Sequence, residues 1–328
     1  MKQKKTHLVV SCVALAALVG LVTFVARTGY GQAQAEAQAT AARPLALMPE
    51  RRADGTAPAA PAEKGAHTHA DESGASLFAA AATRNMMLRY ELSWAFGGKQ
   101  QRGWHLYTPL ITRMLEVDAA GAGEDFAASL SRWQKTAGLQ PSGVLDGETL
   151  YRMVSEWQGA RLKNKAHATP EDLLLAPVTD FYDPTRPEAL RQVERETYAA
   201  YKRMLAAAAA DPASGLKLTA AGEVASEERF LKIVSSFRSP EYQARLRAQS
   251  PNSGRAGLAV NSPHFTGRAL DLYVGGEPVE TKDSNRAIQV QTPAYRWLVR
   301  NAERFGFRPY YYEPWHWEYV GTAATAAR

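Results

Sequence analysis

Apolar positions change their spacing several times along this chain, and each change predicts a different element. Leu8 to Ala26 is a run of nineteen uncharged residues. As a helix of about 28 Å it would cross the hydrocarbon core of a bilayer. Residues 28–80, rich in Ala, Gln, Pro, Gly and Thr, carry no sustained apolar period and predict a flexible tether. From Leu88 to Phe96 every even position is aliphatic or aromatic, which predicts a strand. Phe126, Leu130 and Trp133 then recur at i, i+4 and i+7, the mark of a helix. Gly138-Leu139 ends it, Pro141-Ser142-Gly143 makes a turn, and Leu150, Met153 and Val154 belong to a second helix.

The polar stretch Lys163 to Pro170 reads as a linker, and Thr169-Pro170-Glu171 as a helix start. A long helix is expected from near Pro187 through Leu190, Val193, Thr197, Tyr201 and Met204. Arg229 to Phe237 is β-like, and Ser239-Pro240-Glu241 opens another helix. Thr292-Pro293 opens a further one, with Tyr295, Leu298, Ala302 and Phe305 on one face and Gly306 as its C-cap. Strands and helices mix without a βαβ rhythm and without a glycine-rich phosphate loop. The expected architecture is α+β: a small antiparallel sheet with flanking helices, preceded by a small three-helix module and an N-terminal membrane anchor. The expected boundaries are 1–27 for the anchor, 28–80 for the tether, 81–160 for the helical module with an N-terminal extension, and 170–322 for the sheet domain.

Composition narrows the class of protein. The chain has 328 residues, 45% hydrophobic and 22% charged, which excludes a wholly disordered chain and a multi-span membrane protein. Of the net charge of +6, residues 1–60 supply +4. The folded part therefore lacks the basic surface a nucleic-acid partner requires, and none is expected. Lys2, Lys4 and Lys5 before the apolar run orient the N-terminus to the cytoplasm and export the rest. The rival is a cleaved signal ending at Ala33-Gln34-Ala35, which would leave the chain secreted. Cys12 is the only cysteine and reads as a buried anchor residue, so no intramolecular disulfide exists and any metal must be held by His, Asp or Glu. His67 and His69, in an Ala/Gly context, read as solvated.

Two segments concentrate ionisable residues in apolar surroundings: Ser262 to Leu272 and Glu313 to Tyr319. In the first, Leu270, Leu272 and Val274 alternate with Asp271 and Tyr273, so a strand puts Asp271 on the face opposite its leucines. His264 lies seven residues earlier across Gly267, close enough to fold back beside Asp271. In the second, Glu313 and His316 are three apart, which on a regular strand would separate them. Pro314 breaks the ladder there, so a bend can aim both at one point, with Trp315, Trp317 and Tyr319 on the buried side. His264, Asp271 and His316 supply the three ligands that leave a hydrolytic zinc an open position. Glu313 is placed to serve as the unligated general base. Arg238, at a strand end, offers a fixed donor for a developing oxyanion. Glu318 reads as a solvated or paired strand residue rather than a catalyst.

At these residues the chain resembles the VanY-type D-alanyl-D-alanine carboxypeptidases, within a wider group of zinc peptidases that includes the VanX-type D,D-dipeptidases. The signature Ser-x-His-x-x-Gly-x-Ala-x-Asp is met at Ser262, His264, Gly267, Ala269 and Asp271, and Glu-x-Trp-His at Glu313, Trp315 and His316. Tyr295 to Leu298 and Asn301 to Phe307 resemble the helix before the second motif. The resemblance implies zinc at His264, Asp271 and His316, Glu313 as base, Arg238 near the scissile carbonyl and Ser262 in substrate binding. Glu318 stands where many relatives have Arg. Upstream, Trp133-Gln134, Gly138-Leu139, Gly143 and Thr149 resemble the peptidoglycan-binding-domain-like family, with Ser142 and Asp146 as departures. Together the resemblances imply an exported zinc peptidase acting on the peptidoglycan stem peptide, held to the wall by its helical module and to the membrane by its N-terminal helix. Removal of terminal D-Ala is the expected reaction; the alternatives are an endopeptidase of the same fold or an inactive wall-binding protein.

Overall fold

The computed structural model describes residues 72–96, 99–118, 123–222, 224–249 and 261–321. The expected anchor, the signal-cleavage alternative, Cys12 and the His67/His69 pair lie outside the described residues. No helix among the described residues is long and apolar enough to cross a membrane.

The architecture is a mixture of helices and small antiparallel sheets, in keeping with the α+β expectation. Helix α1 (Glu72–Glu91) leads into a hairpin of β1 (Ser93–Phe96) and β2 (Lys99–Arg102). Three further helices follow: α2 (Thr108–Leu115), α3 (Glu124–Thr136) and α4 (Gly147–Gly159). Two expectations are corrected here. The tether does not extend to residue 80, because Ala79 to Ala82 and the Met86-Met87-Leu88 run are strong helix formers and carry α1 from Glu72 to Glu91. For the same reason the strand expected from Leu88 occupies only Ser93–Phe96. Between Thr108 and Gly159 lie the three helices α2, α3 and α4, preceded by α1 and the hairpin.

The module's buried amides Asn85 and Gln134 are spent on folding. The Gln134 side chain accepts from Gly143 N at 2.9 Å and donates to Val144 O at 2.9 Å and Thr149 Oγ1 at 2.9 Å. Asn85 on α1 donates to Gly143 O and accepts from Leu145 N, each at 2.8 Å. Gly143 has φ of +68°, and a Cβ there would meet Ala127 O at 2.8 Å, so glycine is required. Asp146 caps α4 by accepting from Thr149 N at 2.8 Å.

In the C-terminal part, β3 (Leu173–Leu175) pairs with β4 (Gln192–Glu194), and α5 (Arg195–Ala209) follows directly. The long helix expected from Pro187 therefore starts eight residues later. Val193 is a buried strand residue, and the Glu194 carboxylate caps α5 by accepting from Glu196 N and Thr197 N. The helix start expected at Thr169 is a single 3-10 turn closed by a capping box with Asp172. The main sheet comprises β5 (Ile233–Ser235), β6 (Ala269–Leu272), β7 (Phe307–Tyr310) and β8 (Glu313–Tyr319), in the order β5-β6-β8-β7, all antiparallel. Helix α6 (Pro240–Gln249) opens at the expected proline, and α7 (Asp283–Gln289) and α8 (Pro293–Asn301) precede β7. Thr292 caps α8 by accepting from Tyr295 N, and Gly306 takes the left-handed conformation after the 3-10 turn that extends it. Tyr295, Leu298 and Ala302 are buried, as the pattern predicted, and Phe305 packs partly buried beside them.

One continuous apolar core joins the two parts, running from Trp104, Phe126 and Trp157 to Leu270, Trp297, Trp315 and Trp317. Polar contacts cross the same junction. The fully buried Arg286 donates to Tyr107 Oη at 2.8 Å, and its guanidinium lies 4.2 Å from the Tyr312 ring centre.

Candidate metal and catalytic site

Strand register assembles the site. Asp271 on β6 is the direct partner of His316 on β8, so their side chains share a face. Leu270 pairs with Trp317 on the opposite, core-facing side. His264 arrives from the 3-10 turn Pro263–Thr266, which Ser262 caps by accepting from His264 N at 3.3 Å. Gly267 then reverses the chain into β6 with φ of +67°. A Cβ there would meet the Leu173 side chain at 2.9 Å and the Glu194 backbone at 3.0 Å, so no other residue fits.

Glu313 is brought round by a bulge. Pro309 pairs with Trp317, but its neighbour Tyr310 pairs with Glu313, so β8 spends extra residues at Pro314 and bends. That is the bend expected from the Glu313-Pro314 pair. Trp315, Trp317 and Tyr319 are buried in the core behind it.

The donor atoms converge. Asp271 Oδ2 lies 3.3 Å from His264 Nε2, Asp271 Oδ1 lies 2.9 Å from His316 Nδ1, and one ligand atom from each residue falls within 4.8 Å of the others. Tetrahedral ligands about 2.1 Å from a common zinc stand roughly 3.4 Å apart, so the three fit one ion. The outer nitrogens fix the ring orientations. His264 Nδ1 faces the Ser236 carbonyl oxygen at 2.7 Å, which can only accept, so the proton sits there and Nε2 presents a lone pair. His316 Nε2 faces Glu318 Oε1 at 3.1 Å and donates to it. Nδ1 of the same ring and Asp271 Oδ1 both carry lone pairs, so a proton or a cation must lie between them. Two imidazoles and one carboxylate make a zinc-type donor set, since calcium and magnesium prefer all-oxygen shells.

The electrostatics express the same crowding. Burial, reinforced by Arg238, pushes His264 down to about 4, keeping it neutral and free to ligate. Burial alone would raise the Asp271 carboxyl, but the two imidazoles hold it well below the carboxylate range. For His316, hydrogen bonds to Asp271 and Glu318 overcome burial and raise the metal-free ring to about 9. Glu313 is pushed up to about 7, chiefly by burial and further by the Asp271 charge. His316, Arg161 and Arg238 pull the other way, and the balance leaves it raised.

Arg238 joins the site through Asp271, donating from Nη2 to Asp271 Oδ2 at 2.9 Å and from Nε to Ser235 Oγ at 3.1 Å. Glu318 departs from the solvated alternative. It is fully buried on the His316 face of β8, where it accepts from His316, from Arg161 and from Leu162 N at 2.9 Å. Sequence reasoning did not find Arg161, which lies 157 positions away. A signal for Glu318 existed, because the alternation that buries Trp315, Trp317 and Tyr319 puts it on the side of His316.

Residues 190–322 match the VanY family model, described as D-alanyl-D-alanine carboxypeptidase. No curated protein matches the chain.

Proposed function

We propose that this chain, whose residues 190–322 form a VanY-family domain of peptidase type, is an exported zinc peptidase that removes terminal D-Ala from peptidoglycan stem peptides. The observation that carries the reading is the convergence of His264, Asp271 and His316 on one point, with Glu313 three residues before His316 across the β8 bulge and outside the ligand set.

Zinc held by those three residues would polarise the scissile carbonyl and make water acidic enough to attack it near pH 7. Glu313 takes the proton of the attacking water and returns it to the leaving amine of D-Ala. A carboxylate that binds no metal is free to do both. Arg238 has two N–H groups committed to Ser235 and Asp271, which fixes its fork, and Nη1 would donate to the carbonyl oxygen as charge develops. Ser262 first sets the His264 turn, and its hydroxyl proton is the group that would meet substrate. The helical module is assigned to the cell wall on its resemblance, and the N-terminal apolar run to the membrane on its length and flanking lysines.

The test is the full chain, loaded with zinc, incubated with a pentapeptide ending in D-Ala-D-Ala and with purified wall fragments, and the products weighed by mass spectrometry. Loss of a single D-Ala is the expected result. Cleavage only inside the stem or cross-bridge would make it an endopeptidase, and absence of product from both substrates would leave a wall-binding protein.

A further inference from the structure

Glu318 is the one carboxylate of β8 with no exposed surface, and a buried carboxylate persists only where its charge is answered. The partners come from outside the family domain. Arg161 and Leu162 follow α4 directly, at the end of the helical module, well before residue 190. Arg161 donates from Nε at 3.1 Å and from Nη2, both to Oε1, and the Leu162 amide donates to Oε2 at 2.9 Å. Arg161 is itself held. Its Nη1 donates to Gln158 Oε1 on α4 at 2.8 Å, and its guanidinium stacks 4.0 Å from the centre of the Tyr310 ring. Continuous contacts therefore lead from α4 through Arg161 and Glu318 to His316 Nε2, and through the ring to the Nδ1 that faces Asp271.

An imidazole that binds metal through one nitrogen is aimed by the hydrogen bond its other nitrogen makes. Glu318 accepts that bond, and without Arg161 and the Leu162 amide its charge would be buried unanswered and its carboxylate free to turn. We propose that Arg161 and Glu318 are positioning residues for His316, so that the end of the helical module is part of the metal centre. The inference rests on the reading of His264, Asp271 and His316 as the zinc site. It gives the helical module a task beside any wall contact.

Zinc affinity measured on the full chain, in competition with a chromophoric chelator, tests it. Glu318→Ala should weaken zinc by about 10–100-fold, the usual worth of such an outer partner, and Arg161→Ala by a smaller factor in the same direction. The visible absorption bands of the cobalt-substituted protein should shift in both variants, which a loss of fold stability alone would not cause. Glu318→Ala leaves Arg161 without its partner and could unfold the chain. The double variant Arg161→Met with Glu318→Met removes both charges, keeps the volume apolar and leaves His316 Nε2 with no acceptor. It should fold, by near-ultraviolet circular dichroism, and still bind zinc about 10–100-fold more weakly. Folded variants with wild-type zinc affinity and unshifted cobalt bands would overturn this inference alone. A wild-type chain that binds no zinc would overturn the site reading and this inference with it.

Discussion

In the helical module the buried Asn85 and Gln134 spend their amides on the backbone of residues 143–145, whereas in the sheet domain the buried His264, Asp271 and His316 face one another. Both are polar clusters in apolar surroundings, but they solve the burial problem differently. The module's amides pair donor with acceptor, and nothing is left over. In the sheet domain, lone pairs of two imidazoles and a carboxylate point at a common place, and only a proton or a cation reconciles them. The first arrangement is complete when the chain has folded; the second asks for a ligand. Resemblance to a family is therefore worth different things in the two regions. The residues on which a wall-binding resemblance rests, Gln134, Gly143 and Thr149, hold a loop, while those of the sheet domain bring lone pairs together.

The largest effect that separates the regions should come from His316→Ala. It removes one of the three proposed ligands, and the remaining two should not retain the ion, so metal analysis of the purified variant should find no stoichiometric zinc. Zinc retained in full after both His264→Ala and His316→Ala would erase the contrast. Arg238→Ala should lower turnover by about 10²–10³-fold through loss of the proposed oxyanion donor. Because Arg238 also pairs with Asp271, zinc affinity should fall with it, and unchanged turnover would remove Arg238 from the mechanism. On the other side, Gln134→Ala strands Gly143 N, Val144 O and Thr149 Oγ1. It should cost about 1–3 kcal/mol of stability in denaturant titrations while sparing zinc stoichiometry.

The smallest effect is a pH signature. Glu313 has a folded pKa near 7, above the ordinary value of 4.5, so the metal-free native state holds its proton more tightly than the unfolded chain. Stability should therefore fall as pH rises from about 4.5 to 7. Glu313→Gln removes that penalty, and melting curves of the metal-free variant should lie a few degrees above wild type at pH 8 and coincide with it at pH 4. A variant no more stable at pH 8 would show that the carboxyl sits in a wetter place than described.

Much of the site was legible because strand alternation is a local rule. Leu270-Asp271-Leu272 announces which side Asp271 takes, and Pro314 announces the bend that recovers Glu313. The α+β class followed from the mixed periodicities. What escaped was set by distance or by competition between propensities. The Arg161–Glu318 pair joins positions that no local pattern connects. Alternation of Leu88, Tyr90 and Leu92 suggested a strand, but Ala79 to Leu88 favours helix, and Tyr90 lies more exposed than buried on it, one face of its ring stacked on His105. Near Pro187 the apolar spacing ran across a turn, a strand and a helix, and only the Glu194 cap shows where α5 begins.

The central claim is that three residues hold the metal and a fourth, Glu313, moves the proton. Zinc content measured beside turnover of a D-Ala-D-Ala-terminated pentapeptide, in wild type and in Glu313→Ala, tests it most directly. The account predicts one zinc per chain in both proteins and a rate reduced by about 10²–10⁴-fold in the variant, the usual worth of general acid–base catalysis. Zinc lost together with activity would make Glu313 a ligand of a closed site, and activity surviving with zinc intact would route the proton elsewhere.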